Sequence, residues 1–150
     1  IIEADVIISA TGLNLLAFGG SKINIDSKSF DVSKSFVYKG VMLSNLPNFF
    51  IYVGYTNASW TLKVDLTNEY ISRILKYLDK HNYTVLKVNA NEDIIKPLPL
   101  LNLNSNYIYR SANLLPKQGD KIPWRLYQNY ILDYKLLLID KIKDEWLEFS

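Results

Sequence analysis

The sequence contains no cysteine, which excludes disulfides, thiolate metal centres and a cysteine nucleophile. A reducing, cytoplasmic setting is the expectation. Histidine occurs once, as His81 between Lys80 and Asn82. A metal site built on a single imidazole needs carboxylate partners, and the sequence gathers none around it, so His81 reads as a solvated helix end and no metal is expected. An excess of one charge is also missing. Seventeen Lys+Arg face 15 Asp+Glu, a net +2 spread along the chain, so neither nucleic acid nor an anionic membrane is an expected partner. No apolar run nears the ~20 residues of a membrane span, and no charged-then-apolar leader is visible.

Against these absences stand 49% hydrophobic and 13% aromatic residues in a chain of 150. That supply suits one globular core, and a folded chain of this length buries roughly 68–70% of its unfolded surface. Ile1 is not an initiator Met, and Val6-Ile-Ile8 follows at once, so the chain is expected to begin in mid-domain. That β-branched run closes on Ser9-Ala-Thr-Gly12, the pattern of a strand buried on both faces in a parallel-type sheet. Ile23/Ile25 and Phe30/Val32 alternate around Asp26-Ser27-Lys28-Ser29 and predict an inserted hairpin at about 21–33. Phe36-Val-Tyr38 and Val41-Met-Leu43 read as extended, and Phe49-Phe-Ile-Tyr-Val53 reads as a second central strand ending at Gly54.

The most regular pattern runs from about Trp60 to Lys80. Leu62, Leu66, Tyr70, Ile74 and Leu78 fall four apart, Ile71 and Leu75 widen the stripe, and Glu69 and Arg73 are spaced to pair on the outer face. Asn82 is placed to end this helix, and Thr84–Val88 reads as a strand. From Asn89 to Pro123 four prolines interrupt any helix, with Tyr107-Ile-Tyr109 as a short extended piece. Tyr127–Ile139 carries the spacing of an amphipathic terminal helix, and Trp146–Phe149 that of a small strand. Residues 1–88 and 89–150 thus divide into a sheet-and-helix part and a loop-rich wrap. The expected class is α/β, with an incomplete sheet, a long helix after the late strand and a loop-rich tail.

Ligands of such folds gather at the carboxyl ends of parallel strands. Two apolar runs end in glycine turns, Ala10-Thr-Gly12 and Val53-Gly54. The second leads through Tyr55-Thr-Asn-Ala-Ser59 into the long helix, whose N-terminal N–H groups favour an anion or an electron-rich ring oxygen. The plainer reading of the same residues is that Ser59 or Thr61 caps a helix.

Ala4-Asp-Val-Ile-Ile-Ser-Ala-Thr-Gly-Leu-Asn14 resembles the late strand and ATG motif of flavin-containing and Baeyer–Villiger monooxygenases. Tyr38–Ser44, Leu46–Phe49, Gly54–Lys63, Lys117–Gly119 and Pro123–Asn129 are similar to one subgroup, the Baeyer–Villiger-type enzymes related to thioamide-activating monooxygenases. The resemblance implies the C-terminal part of a flavoprotein with two dinucleotide-binding domains, 1–88 forming the late part of its FAD domain. It implies that Gly54 ends a strand beside the flavin and that Asn57, Ser59 and Thr61 line the loop. Leu62, Lys63 and Val64 would then turn backbone N–H groups to the N1–C2=O edge of the ring. Ala10, Thr11 and Gly12 would sit at the crossing between FAD and NADPH domains, in a conformational role. Tyr55 and Trp60 are candidates for an aromatic wall, with core packing the plainer reading. Arg73, Arg110 and Arg125 are assigned no catalytic role.

The family's two glycine fingerprints, and the F-x-G-x-x-x-H-type motif between them, are absent: Gly19-Gly20 is an isolated pair. The resemblance therefore implies FAD and NADPH in a complete enzyme and Baeyer–Villiger or S/N oxygenation as its reaction. This chain is expected to be non-catalytic alone, to hold no cofactor tightly, and to depend on an N-terminal half for the pyrophosphate grips. The alternative is a non-catalytic remnant or a protein-association module.

Overall fold

The computed structural model describes residues 2–12, 14–101 and 106–150. Ile1, Leu13 of the ATG-containing stretch and residues 102–105 of the irregular stretch lie outside these. The chain orders as β1 (Ile23–Ile25), β2 (Lys28–Phe30), β3 (Val37–Tyr38), β4 (Met42–Leu43), α1 (Trp60–His81), β5 (Leu86–Val88), β6 (Leu98–Pro99), α2 (Asn106–Ser111), β7 (Lys117–Gln118), α3 (Tyr130–Tyr134) and β8 (Leu147–Phe149). The strands pair as four small antiparallel sheets, β1–β2, β3–β4, β5–β8 and β6–β7. This is a mixed helix-and-strand fold. The expected parallel sheet is not formed among the described residues.

Two expected strands account for that difference. Val6, Ile7 and Ile8 are 77%, 85% and 89% exposed and take no regular structure. A strand apolar on both faces needs neighbours on both sides, and no described strand lies beside it. Phe49–Val53 contributes only a bridge from Phe50 to Met42, with the Ile51 N–H donating to the Val41 carbonyl at 2.7 Å. Tyr107–Tyr109, expected as extended, lies within α2.

The hairpin forms as expected, with a tighter turn. Asp26 and Ser27 alone make it, at φ 48° and 67°, the two left-handed residues that match the twist of a two-residue hairpin loop. Lys28 and Ser29 belong to β2, in register with Ile25 and Asn24.

Helix α1 carries the core. Steps of four residues drift about 40° around a helix, whereas a step of seven drifts about 20°. The buried stripe therefore centres on Tyr70 and takes in Lys63, Leu66, Thr67, Ile74 and Leu78. Leu62 and Leu75, at the margins of the four-spaced pattern, are 44% and 49% exposed. Asn82 ends the helix at φ 55°, as its position suggested, and the Tyr83 N–H reaches back to the Leu78 carbonyl at 3.0 Å. His81 is exposed, its ring packed on Tyr77 and Tyr83.

Opposite α1 lie Tyr38, Val41 and Met42, the β5–β8 pair, and Trp124. Trp124 is fully buried and meets Phe36, Tyr38 and Trp146 edge-to-face at 6.1, 5.5 and 5.3 Å. The terminal helix covers this core as α3 and then continues as a π-turn over Lys135–Ile139. Arg73 does not join Glu69 on the outer face. Its guanidinium instead donates to the Leu137 carbonyl and, at 2.9 Å, to the Asp140 carbonyl, groups left open where a helix ends. Asp144 accepts from the Tyr38 hydroxyl and lies 3.6 Å from the Lys39 ammonium. Lys39 in turn reaches the Tyr70 hydroxyl at 3.5 Å.

Burial, with unfavourable charge from Tyr70 and Asp144, pushes the Tyr38 hydroxyl far above its ordinary range. Tyr70 is raised chiefly by burial, and burial lowers Lys39, with Asp144 opposing. A tyrosine raised in the folded state contributes stability that is present below its unfolded pKa of about 10 and lost as pH climbs above it. Lys39 acts in the opposite sense, so the comparison must be between variants. Denaturant melts of the Tyr38→Phe chain should lose stability less steeply above pH ~10 than those of the unaltered chain. Equal slopes would count against a buried, protonated Tyr38.

Candidate functional site

The strand-end glycine, the loop after it and the first turn of α1 form one compact place. Gly54 is buried there beneath the Trp60 indole. A Cβ at position 54 would lie 2.2–2.6 Å from three indole carbons, so it is the close approach of Trp60 that demands glycine. Trp60 itself remains 56% exposed. Tyr55 is buried, and its hydroxyl donates to the Asp133 carboxylate at 2.7 Å. The two aromatic-wall candidates therefore separate: Tyr55 is a core residue with a polar anchor, and Trp60 faces outward.

Ser59 precedes α1 but makes no capping bond to it; its hydroxyl pairs with that of Thr61 at 2.7 Å. The side-chain cap expected on the plainer reading is absent. With Trp60 as the first helical residue, the N–H groups without a carbonyl partner inside the helix are those up to Leu62. Those of Lys63 and Val64 fall within the helical ladder, one to two residues beyond the open donors. Thr56 to Leu62 are exposed.

Lys63 is engaged through its side chain, which is fully within the protein and lies 2.8 Å from Asp133. Burial lowers its pKa, and Asp133 opposes that shift. The Tyr55 hydroxyl is raised by burial first and by its bond to Asp133 second. Gln128 completes the surroundings. Its side-chain oxygen accepts from the Thr56 N–H at 2.8 Å and hydroxyl at 3.3 Å, and its carbonyl accepts from the Asn57 amide at 3.2 Å. A cleft of about 320 Å³ opens beside Thr56 and Asn57, with Arg125, Leu126 and Gln128 on its other walls.

The sequence expectation thus brings Gly54, Asn57, Ser59, Thr61, Leu62, Lys63 and Val64 to one loop and helix start. Ala10, Thr11 and Gly12 lie elsewhere, exposed beside α2. Gly12 has φ 83°, the Thr11 carbonyl accepts from Arg110 at 3.2 Å, and the Leu15 N–H donates to Ser111 at 3.0 Å. Sequence reasoning missed Gln128 and Asp133. The one available signal was the seven-residue step from Lys63 to Tyr70, which puts a lysine on the buried stripe and demands an acid opposite it. Among the described residues, no three His, Asp or Glu side chains gather as metal ligands.

This loop and open helix end present N–H donors without side-chain caps, exposed, behind a glycine. The class is supplied by sequence comparison. The chain is similar throughout its length to a part of FAD-containing monooxygenases. It is 45% identical over 149 residues to the FAD-containing monooxygenase EthA of Mycobacterium tuberculosis, and 42% identical over 149 residues to EthA of Mycolicibacterium smegmatis. It is 43% identical over 150 residues to the "Probable FAD-binding monooxygenase AlmA" of Acinetobacter baylyi. Each match covers 99% of this chain and 30% of the relative. No family model and no solved structure matches it.

Gly54→Ala should push the Trp60 indole off the loop and cost about 1–3 kcal/mol, as overpacking does. Tryptophan fluorescence should shift alongside a lowered urea midpoint. Unchanged emission and stability would mean that the indole does not rest on Gly54.

Proposed function

We propose that this chain supplies the flavin-edge wall of an FAD- and NADPH-dependent monooxygenase and does not run the reaction alone. The reading places the chain in the C-terminal part of such an enzyme. The observation that carries it is the open N-terminus of α1, presented behind Gly54, in a chain similar throughout to FAD-containing monooxygenases. Bound FAD, reduced by NADPH, supplies the oxygen-activating chemistry for Baeyer–Villiger or S/N oxygenation. The chain's own part is electrostatic. The Thr61 and Leu62 N–H groups and the helix dipole stabilise negative charge on the N1–C2=O edge without reorganising. Asn57, Ser59 and Thr61 line the approach, with Lys63 and Val64 continuing the first turns. Ala10, Thr11 and Gly12 serve the crossing between nucleotide domains.

Two features support a partial rather than a self-sufficient unit. The sequence has neither glycine fingerprint, so both pyrophosphate grips must come from outside these residues. Among the described residues Val6–Ile8 has no paired strand, and it is exposed, as a strand is when the rest of its sheet is elsewhere. The same exposure would serve a non-catalytic association module, and a neighbouring reading frame carrying the two fingerprints separates these readings in favour of a cofactor-bearing partner.

The chain purified alone should retain no stoichiometric FAD; bound flavin at one equivalent would overturn the dependence on a partner. Leu62→Pro removes an N–H from the first turn, where proline is tolerated, and leaves the Lys63 ion pair in place. In the complete monooxygenase containing this segment it should lower kcat roughly 10- to 100-fold, the loss expected for a bond to a charged group. Unchanged kcat would show that this helix end does not face the flavin.

A further inference from the structure

The loop from Tyr55 to Ser59 has no regular structure of its own, and the hydroxyl pair of Ser59 and Thr61 ties it only to the first turn of α1. What holds it comes from the tail, more than seventy residues away in sequence. Gln128 sits at φ 55°, a left-handed conformation that costs a non-glycine residue energy. From there its side-chain oxygen meets Thr56 at 2.8 Å while its carbonyl meets the Asn57 amide at 3.2 Å. Next, Asn129 caps the tail helix by accepting from the Leu132 N–H at 3.0 Å, and the Asp133 N–H donates to the Asn129 carbonyl at 3.0 Å. The short capped turn thereby fixes Asp133 relative to Gln128. Asp133 divides its two oxygens between the first residue of the loop, Tyr55 at 2.7 Å, and Lys63 of α1 at 2.8 Å.

We propose that Gln128 and Asp133 are positioning residues, which from the tail set the Tyr55–Ser59 loop and the first turn of α1 in the geometry that meets the flavin edge. The inference rests on the proposed flavin-facing role of that helix end. The chemical reason is tolerance: a donor displaced by about 1 Å loses much of its effect on developing charge. Gln128 and Asp133 bond to Thr56, Asn57, Tyr55 and Lys63 and not to the open N–H groups of α1, so they act through the loop.

Gln128→Ala removes the acceptor at a half-buried position and spares the core. In the 150-residue chain, hydrogen exchange at the Thr56 amide should quicken roughly tenfold. In the complete monooxygenase containing this segment, the same variant should lower kcat about tenfold with substrate KM unchanged, and alter the visible flavin spectrum. Gln128→Glu, which keeps the acceptor, should restore all of these readouts. Asp133→Asn leaves a buried lysine unpaired and risks unfolding, so the paired Asp133→Asn/Lys63→Met variant is the companion. It should remain folded yet show the same flavin changes. Unaltered Thr56 exchange in Gln128→Ala, or failure of Gln128→Glu to rescue, overturns the positioning role. Faster exchange with unchanged kcat and flavin spectrum overturns the flavin-facing reading of the loop, and the positioning role with it.

Discussion

A lysine on the buried face of a helix cannot stay charged without a partner, and for Lys63 that partner is Asp133 in the tail. The rest of the arrangement follows from this pairing. Because Asp133 also takes the Tyr55 hydroxyl, the start of the glycine-led loop and the helix after it are anchored to one carboxylate. A buried ion pair adds little net stability over an apolar replacement, but it disfavours every packing in which either charge is left alone. Its effect here is to specify one docking of the tail on α1. Lys39 with Asp144, and Arg73 with the carbonyls of Leu137 and Asp140, repeat the device farther along. In each case a cation from the first half of the chain meets an acceptor in the tail.

Between these polar ties lies the apolar contact that makes the docking favourable. Tyr70 and Ile74 of α1, Tyr38 and Met42, and the β5–β8 pair close around Trp124. The tail strand β8 completes a sheet begun by β5, so removing the tail would open a strand edge as well as a core. The N-terminal residues contrast with this. Val6–Ile8 has the composition of a central strand, yet no strand among the described residues lies beside it. The chain spans 30% of its relatives' length.

Features fixed by local periodicity were legible in the sequence. The long helix, its end at Asn82, the hairpin, the β5 region and the terminal strand each depend on spacing or a turn residue within a few positions. The failures came where partners decide. Val6–Ile8 and Phe49–Val53 are strand-like in composition, but a strand exists only through its neighbours. Tyr107–Tyr109 alternates as a strand would and is nevertheless helical. Arg73 is spaced to pair with Glu69, yet open carbonyls at a helix end offered a more buried alternative. At the candidate site, Gly54 and the polar loop were visible, whereas Gln128 and Asp133 were not, because contacts across seventy residues leave no local pattern. The family came from short motifs scattered along the chain and agrees with the 40–45% identity to FAD-containing monooxygenases.

A loop fastened to the tail and a helix start without a side-chain cap are what the proposed flavin contact requires of a preorganised electrostatic surface. The most direct test is a crystal structure of the complete monooxygenase containing this segment, with FAD bound. The account predicts the N1–C2=O edge of the flavin within hydrogen-bond distance of the Thr61 or Leu62 N–H, with Gln128 and Asp133 still on the loop. A flavin ring seated elsewhere, with the start of α1 facing solvent, would contradict it.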